Sequence, residues 1–109
     1  MNYNDLLKNF KSNPRDIHTF PLTGKKPSWF YCYVEDEKLY VDAPKNHTPA
    51  CQIKSSREIN KNEFDAMFDL YNRRLKGESV SVEATETTVN KVYWYAIIAD
   101  TLKEKRYIN

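Results

Sequence analysis

The stretch Ser28-Trp29-Phe30-Tyr31-Cys32-Tyr33-Val34 carries the strongest β signal in the chain. It is aromatic and β-branched, a composition that suits a pleated strand. The polar pair Asp36-Glu37 follows, and Lys38-Leu39-Tyr40-Val41-Asp42-Ala43 continues as a second strand. Together these segments predict a β-hairpin over residues 28–43. The turn contains no glycine, so the favoured two-residue turns are not encoded and the strand register stays open.

The flanking segments carry weaker strand signals. Residues 13–28 contain three prolines, which remove amide donors and bias the preceding residues toward extended conformations. We expect an ordered loop there, with a short strand at Thr19–Leu22. After a loop from Pro44 to Pro49, a third sheet strand is predicted from Cys51 to Lys54.

Two helices are predicted from the spacing of apolar residues. Residues 2–12 predict a short N-terminal helix with Asn4 as its N-cap. Residues 60–76 predict a long helix, because Asn60 can cap it and apolar residues recur along it at helical spacing. Gly77 suits the left-handed position that follows a helix.

A second long helix is predicted over residues 81–105, with Ser81 as its N-cap. The β-branched residues near Thr88 weaken a helix, so this one could break there, with Thr88 capping a second segment. Apolar residues from Val92 to Leu102 cover most of the helix circumference. This part of the helix should therefore be largely buried.

These elements predict an α+β fold in a single domain, residues 1–109. A small antiparallel sheet, made of the hairpin at 28–43 and a short third strand, should pack against the two long C-terminal helices, with the short helix at the N-terminus. A chain of 109 residues is long enough to bury one hydrophobic core.

Composition limits the classes of function. The chain has 17 Lys and Arg against 15 Asp and Glu, a formal net charge of +2, and nucleic-acid-binding domains usually have a stronger basic bias. Its two glycines are too few for a glycine-rich phosphate loop. The longest apolar run, Val92 to Ala99, is too short to span a bilayer. The N-terminus lacks the pattern of a signal peptide, so we expect a cytoplasmic protein.

Residues that could carry catalysis or bind a metal are few. A zinc site would have to combine Cys32, Cys51, His18 and His47, whose spacing lacks the paired ligands of structural zinc sites. A triad could be drawn from Cys32 or Cys51 with His47 and Asp42, but Cys32 should be an inert core thiol and Cys51 has no activating context. We therefore expect no metal, no cofactor and no enzymatic activity.

The aromatic strand is the main candidate for a binding surface. Trp29, Tyr31 and Tyr33 share one face of the sheet because side chains alternate along a strand, and Tyr40 should lie near them on the second strand. If this face is exposed, the rings form a platform on which bases or partner side chains can pack. If helices cover it, the same rings belong to the core.

Two further sets of residues could contact a partner. Arg73 and Arg74 lie near the end of the first long helix, and arginine is frequent at interfaces. The simpler alternative is a solvated helix of mixed charge. A degenerate helix-turn-helix over residues 63–98 would place Asn90 and Lys91 at the start of a recognition helix, within reach of base edges or phosphates. A plain helical hairpin packed on the sheet is the simpler alternative here.

Part of the chain, roughly residues 28–100, resembles small uncharacterised proteins of Gram-positive bacteria and of their phages and other mobile elements. Four segments carry the resemblance, namely Asp42-Ala43-Pro44-Lys45-Asn46-His47-Thr48-Pro49, Tyr71-Asn72-Arg73-Arg74, Gly77-Glu78-Ser79-Val80-Ser81 with Glu83-Ala84, and Val92-Tyr93-Trp94-Tyr95. Some proteins of this size and origin block host defence nucleases, as anti-CRISPR proteins do. The resemblance brings no catalytic motif with it.

The sequence and the resemblance together predict a small non-catalytic binding protein. It would be an inhibitor or accessory factor of a nucleic-acid-processing machine, such as a Cas9-type nuclease. The expected partner is a protein or nucleoprotein complex, direct contact with nucleic acid stays open, and the chain could act as a homodimer. The alternative is a DNA- or RNA-binding module built on the helix-turn-helix at 63–98. A third hypothesis is an enzyme that uses Cys51 or His47.

Overall fold

A computed structural model describes residues 1–21 and 25–103. Within these ranges the chain forms four α-helices and one antiparallel sheet with the strand order β1-β2-β3-β4. The helices are α1 (Tyr3–Ser12), α2 (Phe64–Leu75), α3 (Ser81–Thr87) and α4 (Lys91–Leu102). The strands are β1 (Arg15–His18), β2 (Trp29–Glu35), β3 (Lys38–Asp42) and β4 (Arg57–Ile59). The predicted α+β class is confirmed.

The predicted hairpin is formed by β2 and β3, with Tyr33 opposite Tyr40. Its two-residue turn is Asp36-Glu37, where φ is 51° at Asp36 and 59° at Glu37. Positive φ at both central residues belongs to the type I′ turn, whose twist matches that of the strands and which usually selects Asn-Gly. The hairpin therefore adopts a favoured turn without the glycine that such a turn usually contains.

The sheet has four strands and not the predicted three, and both strands outside the hairpin lie elsewhere than the short strands predicted from the sequence. β1 is Arg15–His18 and not Thr19–Leu22, of which Leu22 lies outside the described residues. β4 is Arg57–Ile59 and not Cys51–Lys54, where the chain runs as a loop. Each edge strand is short and charged and buries a single apolar residue, so its sequence carries little strand signal. Short charged edges also discourage pairing with other chains.

The prediction of one long helix over residues 81–105 is wrong, because α3 and α4 are separate helices. The chain is extended at Thr88, with φ −159° and ψ 151°, and Thr88 Oγ1 accepts a hydrogen bond from the N–H of Asn90 at 2.9 Å. The predicted break at this threonine is thus confirmed, but the prediction that Thr88 caps the second segment is wrong, because Asn90 is the N-cap of α4 and Thr88 is the C-cap of α3. Val80, not Ser81, occupies the N-cap of α3. Residues 104 and 105 lie outside the described part of the chain.

The other helix ends differ from prediction by a few residues. Asn2, not Asn4, caps α1, and it forms a reciprocal capping box with Asp5. A 3₁₀ turn precedes α2, and Asn60 caps that turn. Gly77 follows α2 with φ 92°, as its left-handed position requires.

The hydrophobic core lies on one face of the sheet. The inward side chains of β2, β3 and β4 are fully buried, namely Phe30, Cys32, Leu39, Val41 and Ile59. α1 packs on β2 and β3, α4 packs on β1, and α2 packs on α4. The outward side chains of β2 and β3 from Trp29 to Tyr33 and at Tyr40 are only partly buried. Among residues 1–21 and 25–103, no helix combines the length and apolar character needed to cross a membrane.

Candidate binding surface

Four aromatic side chains lie together on the outer face of the sheet. Trp29, Tyr31 and Tyr33 are partly exposed along β2, alternating with buried residues. Tyr40 of β3 stacks on Tyr33, with ring centroids 5.4 Å apart and an interplanar angle of 16°. Tyr31 lies 5.7 Å from Tyr33 on the other side. We call these four residues the aromatic layer, and the predicted grouping is the one that forms.

The aromatic layer extends into the loop that follows β3. The imidazole of His47 stacks on Trp29, with centroids 4.0 Å apart and an interplanar angle of 19°. His18 of β1 meets the same indole edge-on at 4.9 Å. Lys45 Nζ lies 4.8 Å from the ring centroid of Tyr31, a cation–π distance. The layer is therefore held by lateral contacts and not only by the strands beneath it.

Asp16 of β1 anchors this loop. Its side chain is 2% exposed, and its carboxylate accepts from the N–H groups of Lys45 and Asn46 at 2.8 Å and of His47 at 3.2 Å. His47 Nδ1 lies 2.8 Å from the same carboxylate, which can only accept, so Nδ1 carries the proton. Burial on its own would raise the pKa of Asp16. The hydrogen bonds from His47 and the three amides outweigh it and lower the pKa.

The backbone adds a second attachment for the loop. The N–H of Trp29 donates to the carbonyl of Pro49 at 2.8 Å, and the N–H of Cys51 donates to the carbonyl of Trp29 at 2.8 Å. These two bonds form an isolated parallel bridge at Ala50. Loop residues 43–50 are thus fixed at both the carboxylate of Asp16 and the start of β2.

The charges around the aromatic layer are mixed. Strand alternation and register place Glu35, Asp42 and Glu58 on the outer face, with Lys38 opposite Glu35. Lys45 is the second ammonium group, above Tyr31. With the anchored Asp16, four carboxylates stand against two ammonium groups, so this surface has no excess of positive charge.

Arg73 has its guanidinium occupied by carboxylates. It contacts Asp69 at 3.3 Å, Glu78 at 2.9 Å and Glu83 at 2.6 Å. Hydrogen bonds to Glu83, Glu78 and Asp69, in that order of effect, raise the pKa of Arg73. The residue connects α2 to α3, and it does not lie with the aromatic layer.

The remaining predicted binding residues are also separate from the layer. Arg74 Nη1 donates to the carbonyl of Phe20 at 3.0 Å. Asn90 is buried, and its Oδ1 accepts from Arg57 at 2.8 Å. Lys91 donates to Thr85 Oγ1 at 2.9 Å. Asn90 and Lys91 thus connect parts of the fold at the start of a mostly buried helix.

The residues considered for catalysis do not converge. His47 pairs with Asp16, whereas the Asp42 carboxylate accepts from the N–H of Ala43 at 2.8 Å. Cys51 lines a different cavity, and burial raises the pKa of its thiol. Burial also raises the pKa of Cys32 well above its usual value. Within the described ranges, no group of three or more His, Cys, Asp or Glu side chains is placed to hold a metal ion.

Sequence reasoning missed the supporting role of Asp16 and of the loop. Asp16 and His47 are 31 residues apart, and nothing local in either segment announces their pairing. The sequence suggested His47 only as a metal ligand or as the base of a catalytic triad. The one available signal was the alternation of Asp16 and His18 around Ile17, which puts both polar residues on the face opposite the core.

Comparison with protein-family models, with curated proteins and with solved structures found no match. The outer sheet face is therefore interpreted from its own geometry. Two properties matter most for that interpretation: the rings are already ordered by their neighbours, and the surrounding charges show no excess of positive charge.

Proposed function

We propose that this chain is a non-catalytic protein that binds a protein partner through the aromatic layer. The observation that carries the proposal is a group of partly exposed aromatic rings on the outer face of the sheet, in which Tyr33 stacks on Tyr40 and lies beside Tyr31. Exposed clusters of this kind are uncommon on monomers and often mark interaction sites.

The order of the rings favours tight docking. Tyr33 and Tyr40 fix each other by stacking, Tyr33 Oη is hydrogen-bonded to Ser56 Oγ, and Trp29 is held between His18 and His47. Side chains already fixed in one rotamer lose little entropy on binding. Tyr and Trp are also the residue types that contribute most often to interface hot spots.

The charges favour a protein partner over a nucleic acid. Nonspecific nucleic-acid binding depends on Lys and Arg that neutralise phosphates, and this face has more carboxylates than ammonium groups. Base stacking also needs free ring faces, whereas one face of Trp29 is covered by His47. A partner surface of mixed charge with apolar and planar groups suits these rings better.

The helix-turn-helix alternative finds no corresponding support. Asn90 is 7% exposed and bonded to Arg57, so its amide is not presented to a base edge. From Tyr93 to Ala99 the proposed recognition helix is buried. The resemblance to proteins of mobile elements makes a nucleic-acid-processing nuclease complex, for example of the Cas9 type, the first partner to test.

The test compares three purified chains: wild type, the double variant Tyr31→Ala/Tyr33→Ala, and Val89→Ala. Val89 is 86% exposed and lies between α3 and α4, so Val89→Ala removes exposed apolar surface at a site distant in sequence from the aromatic layer. Each is immobilised and exposed to nuclease-treated host lysate and, separately, to a purified Cas9-type nuclease. Captured proteins are identified, purified and titrated against all three chains.

We expect one protein to bind wild type and Val89→Ala alike and to bind the double variant at least ~100-fold more weakly, as the loss of two hot-spot side chains implies. Thermal melts of all three chains establish that the variants fold. Equal binding by the double variant, retention only when nucleic acid is left intact, or no retained protein at all would each refute the proposal.

A further inference from the structure

A separate cavity of about 530 Å³ lies away from the aromatic layer. The loop before β2, the segment after Ala50, the end of α2 and the start of α4 all contribute to its walls. The volume falls in the range of small-molecule sites, which runs from about 300 to 1,000 Å³. Its walls are partly apolar, with Phe20, Tyr93 and Tyr95 among the lining residues.

The cavity lining contains basic residues and no acidic residue among those described. Lys25, Lys26 and Arg74 line it, and no Asp or Glu is among its described lining residues. Glu78 lies nearby, in an adjoining depression that Arg74 also lines, but Glu78 is held by Arg73 at 2.9 Å. Three cationic residues thus line one space, and none of its described lining residues is a carboxylate.

The lack of neutralising carboxylates is specific to one side of α2, as a comparison of Arg73 with Arg74 shows. Arg73 has three carboxylate partners, whereas the described hydrogen bond of Arg74 goes to a neutral acceptor, the carbonyl of Phe20. A guanidinium offers five N–H donors, so most of those on Arg74 remain available for a ligand. Consecutive residues of one helix therefore have opposite electrostatic surroundings.

Arg74 is also held in place. Its guanidinium lies over the ring of Tyr95, with Cζ 4.3 Å from the centroid, and the side chain is partly buried. This burial lowers the pKa of Arg74, so the charge is held at an energetic cost that an anion would relieve. A fixed, planar and under-neutralised guanidinium is well suited to two-point recognition of phosphate or carboxylate oxygens.

We propose that this cavity binds a small phosphate ester that carries a flat ring. Arg74, Lys25 and Lys26 would together bind the phosphate. Their three positive charges suit a dianion better than a single carboxylate. The ring would lie against Phe20, Tyr93 and Tyr95. Recognition by side chains fits a chain whose two glycines cannot build a phosphate loop. The site is independent of the aromatic layer.

The probes are adenosine 5′-monophosphate, adenosine, inorganic phosphate and benzoate, each titrated calorimetrically against the full chain. The variants are Arg74→Gln and Lys25→Gln/Lys26→Gln, with Lys8→Gln as the control that removes an exposed positive charge from α1. Lys25 and Lys26 are exposed, so their double variant reports on the site even if Arg74→Gln folds poorly.

We expect the monophosphate to bind more tightly than phosphate, benzoate or adenosine. Arg74→Gln should weaken it at least ~10-fold, because it removes charge-assisted hydrogen bonds, and the lysine double variant should weaken it several-fold. Lys8→Gln and Tyr31→Ala/Tyr33→Ala should bind as wild type does. The proposal is overturned if the monophosphate shows no saturable binding at millimolar concentration. It is equally overturned if neither site variant weakens binding, or if benzoate binds as well as the monophosphate.

Discussion

His47 lies flat on Trp29, with ring centroids 4.0 Å apart, and it is kept there by the carboxylate of Asp16. The same carboxylate accepts three backbone N–H groups of the loop. An aspartate on an edge strand, with its side chain turned from the core, therefore positions one end of the aromatic layer. The surface depends on a polar contact as much as on its rings.

Replacing Asp16 by Asn should destabilise the protein by roughly 2 kcal/mol, because an amide keeps one acceptor oxygen but loses the charge on which four donors converge. The free energy of unfolding in urea measures the effect. Asp65→Asn is the matched control, since Asp65 is an exposed carboxylate on α2. Equal stability of the two variants would show that Asp16 does not anchor the loop.

The contribution of Asp16 should also depend on pH. Its pKa in the folded protein lies below the ordinary value of 3.8, so the folded state binds fewer protons than the unfolded state between those two values. The stabilisation is fully present above the unfolded pKa and is lost as the pH falls through the folded pKa. The stability difference between wild type and Asp16→Asn should therefore shrink on acidification below about pH 4. A difference that stays constant across that range would contradict the assignment.

The two faces of β2 should respond differently to truncation. Phe30→Ala removes a fully buried ring that meets Tyr93 at 5.0 Å and should cost about 3–5 kcal/mol. Tyr31→Ala, one residue along and partly exposed, should cost about 1 kcal/mol, close to the value of one aromatic pair. Chemical denaturation of both variants measures the contrast. Similar losses would mean that the outer face is covered as thoroughly as the inner one.

A substitution at Glu37 in the hairpin turn should raise the stability of the protein. An L-residue in the left-handed region costs roughly 1–2 kcal/mol, whereas glycine adopts it freely. Glu37 also pairs with Lys11 at 2.6 Å, but both side chains are more than half exposed, so the pair contributes little. In a Lys11→Gln background, Glu37→Gly should raise the free energy of unfolding by roughly 0.5–1 kcal/mol after the entropy of glycine is deducted. A loss of stability there would show that the turn is not strained.

The elements that could be predicted are those whose sequence pattern lies within the element itself. The hairpin of β2 and β3 and the helix that became α2 carry dense apolar patterns, and both were placed within a few residues. β1 and β4 were misplaced because each contains one buried residue, Ile17 or Ile59, among charged ones. Their pairing is decided by neighbouring strands, which a short window of sequence does not contain.

The residues of the candidate site could likewise be predicted only where the sequence signal is local. Alternation along β2 was sufficient to group Trp29, Tyr31 and Tyr33, since period two is a local property. The positions of His47 and of Arg74 depend on contacts 31 and 54 residues away in the chain, with Asp16 and Phe20. Arg73 and Arg74 could not be told apart by sequence, because their carboxylate partners and their cavity are set by the packing of α2 against its neighbours.

The two cysteines offer the last test, since the proposed absence of catalysis implies unreactive thiols. Burial raises the pKa of both, most strongly for Cys32, and only a thiolate attacks an alkylating reagent. With iodoacetamide and mass spectrometry, Cys51 should label at least ~10-fold more slowly than a free cysteine peptide, and faster as the pH rises. Cys32, measured in Cys51→Ser, should label only after denaturation. Fast labelling of Cys51 at neutral pH would instead indicate an activated nucleophile and would favour the enzyme hypothesis over a binding protein.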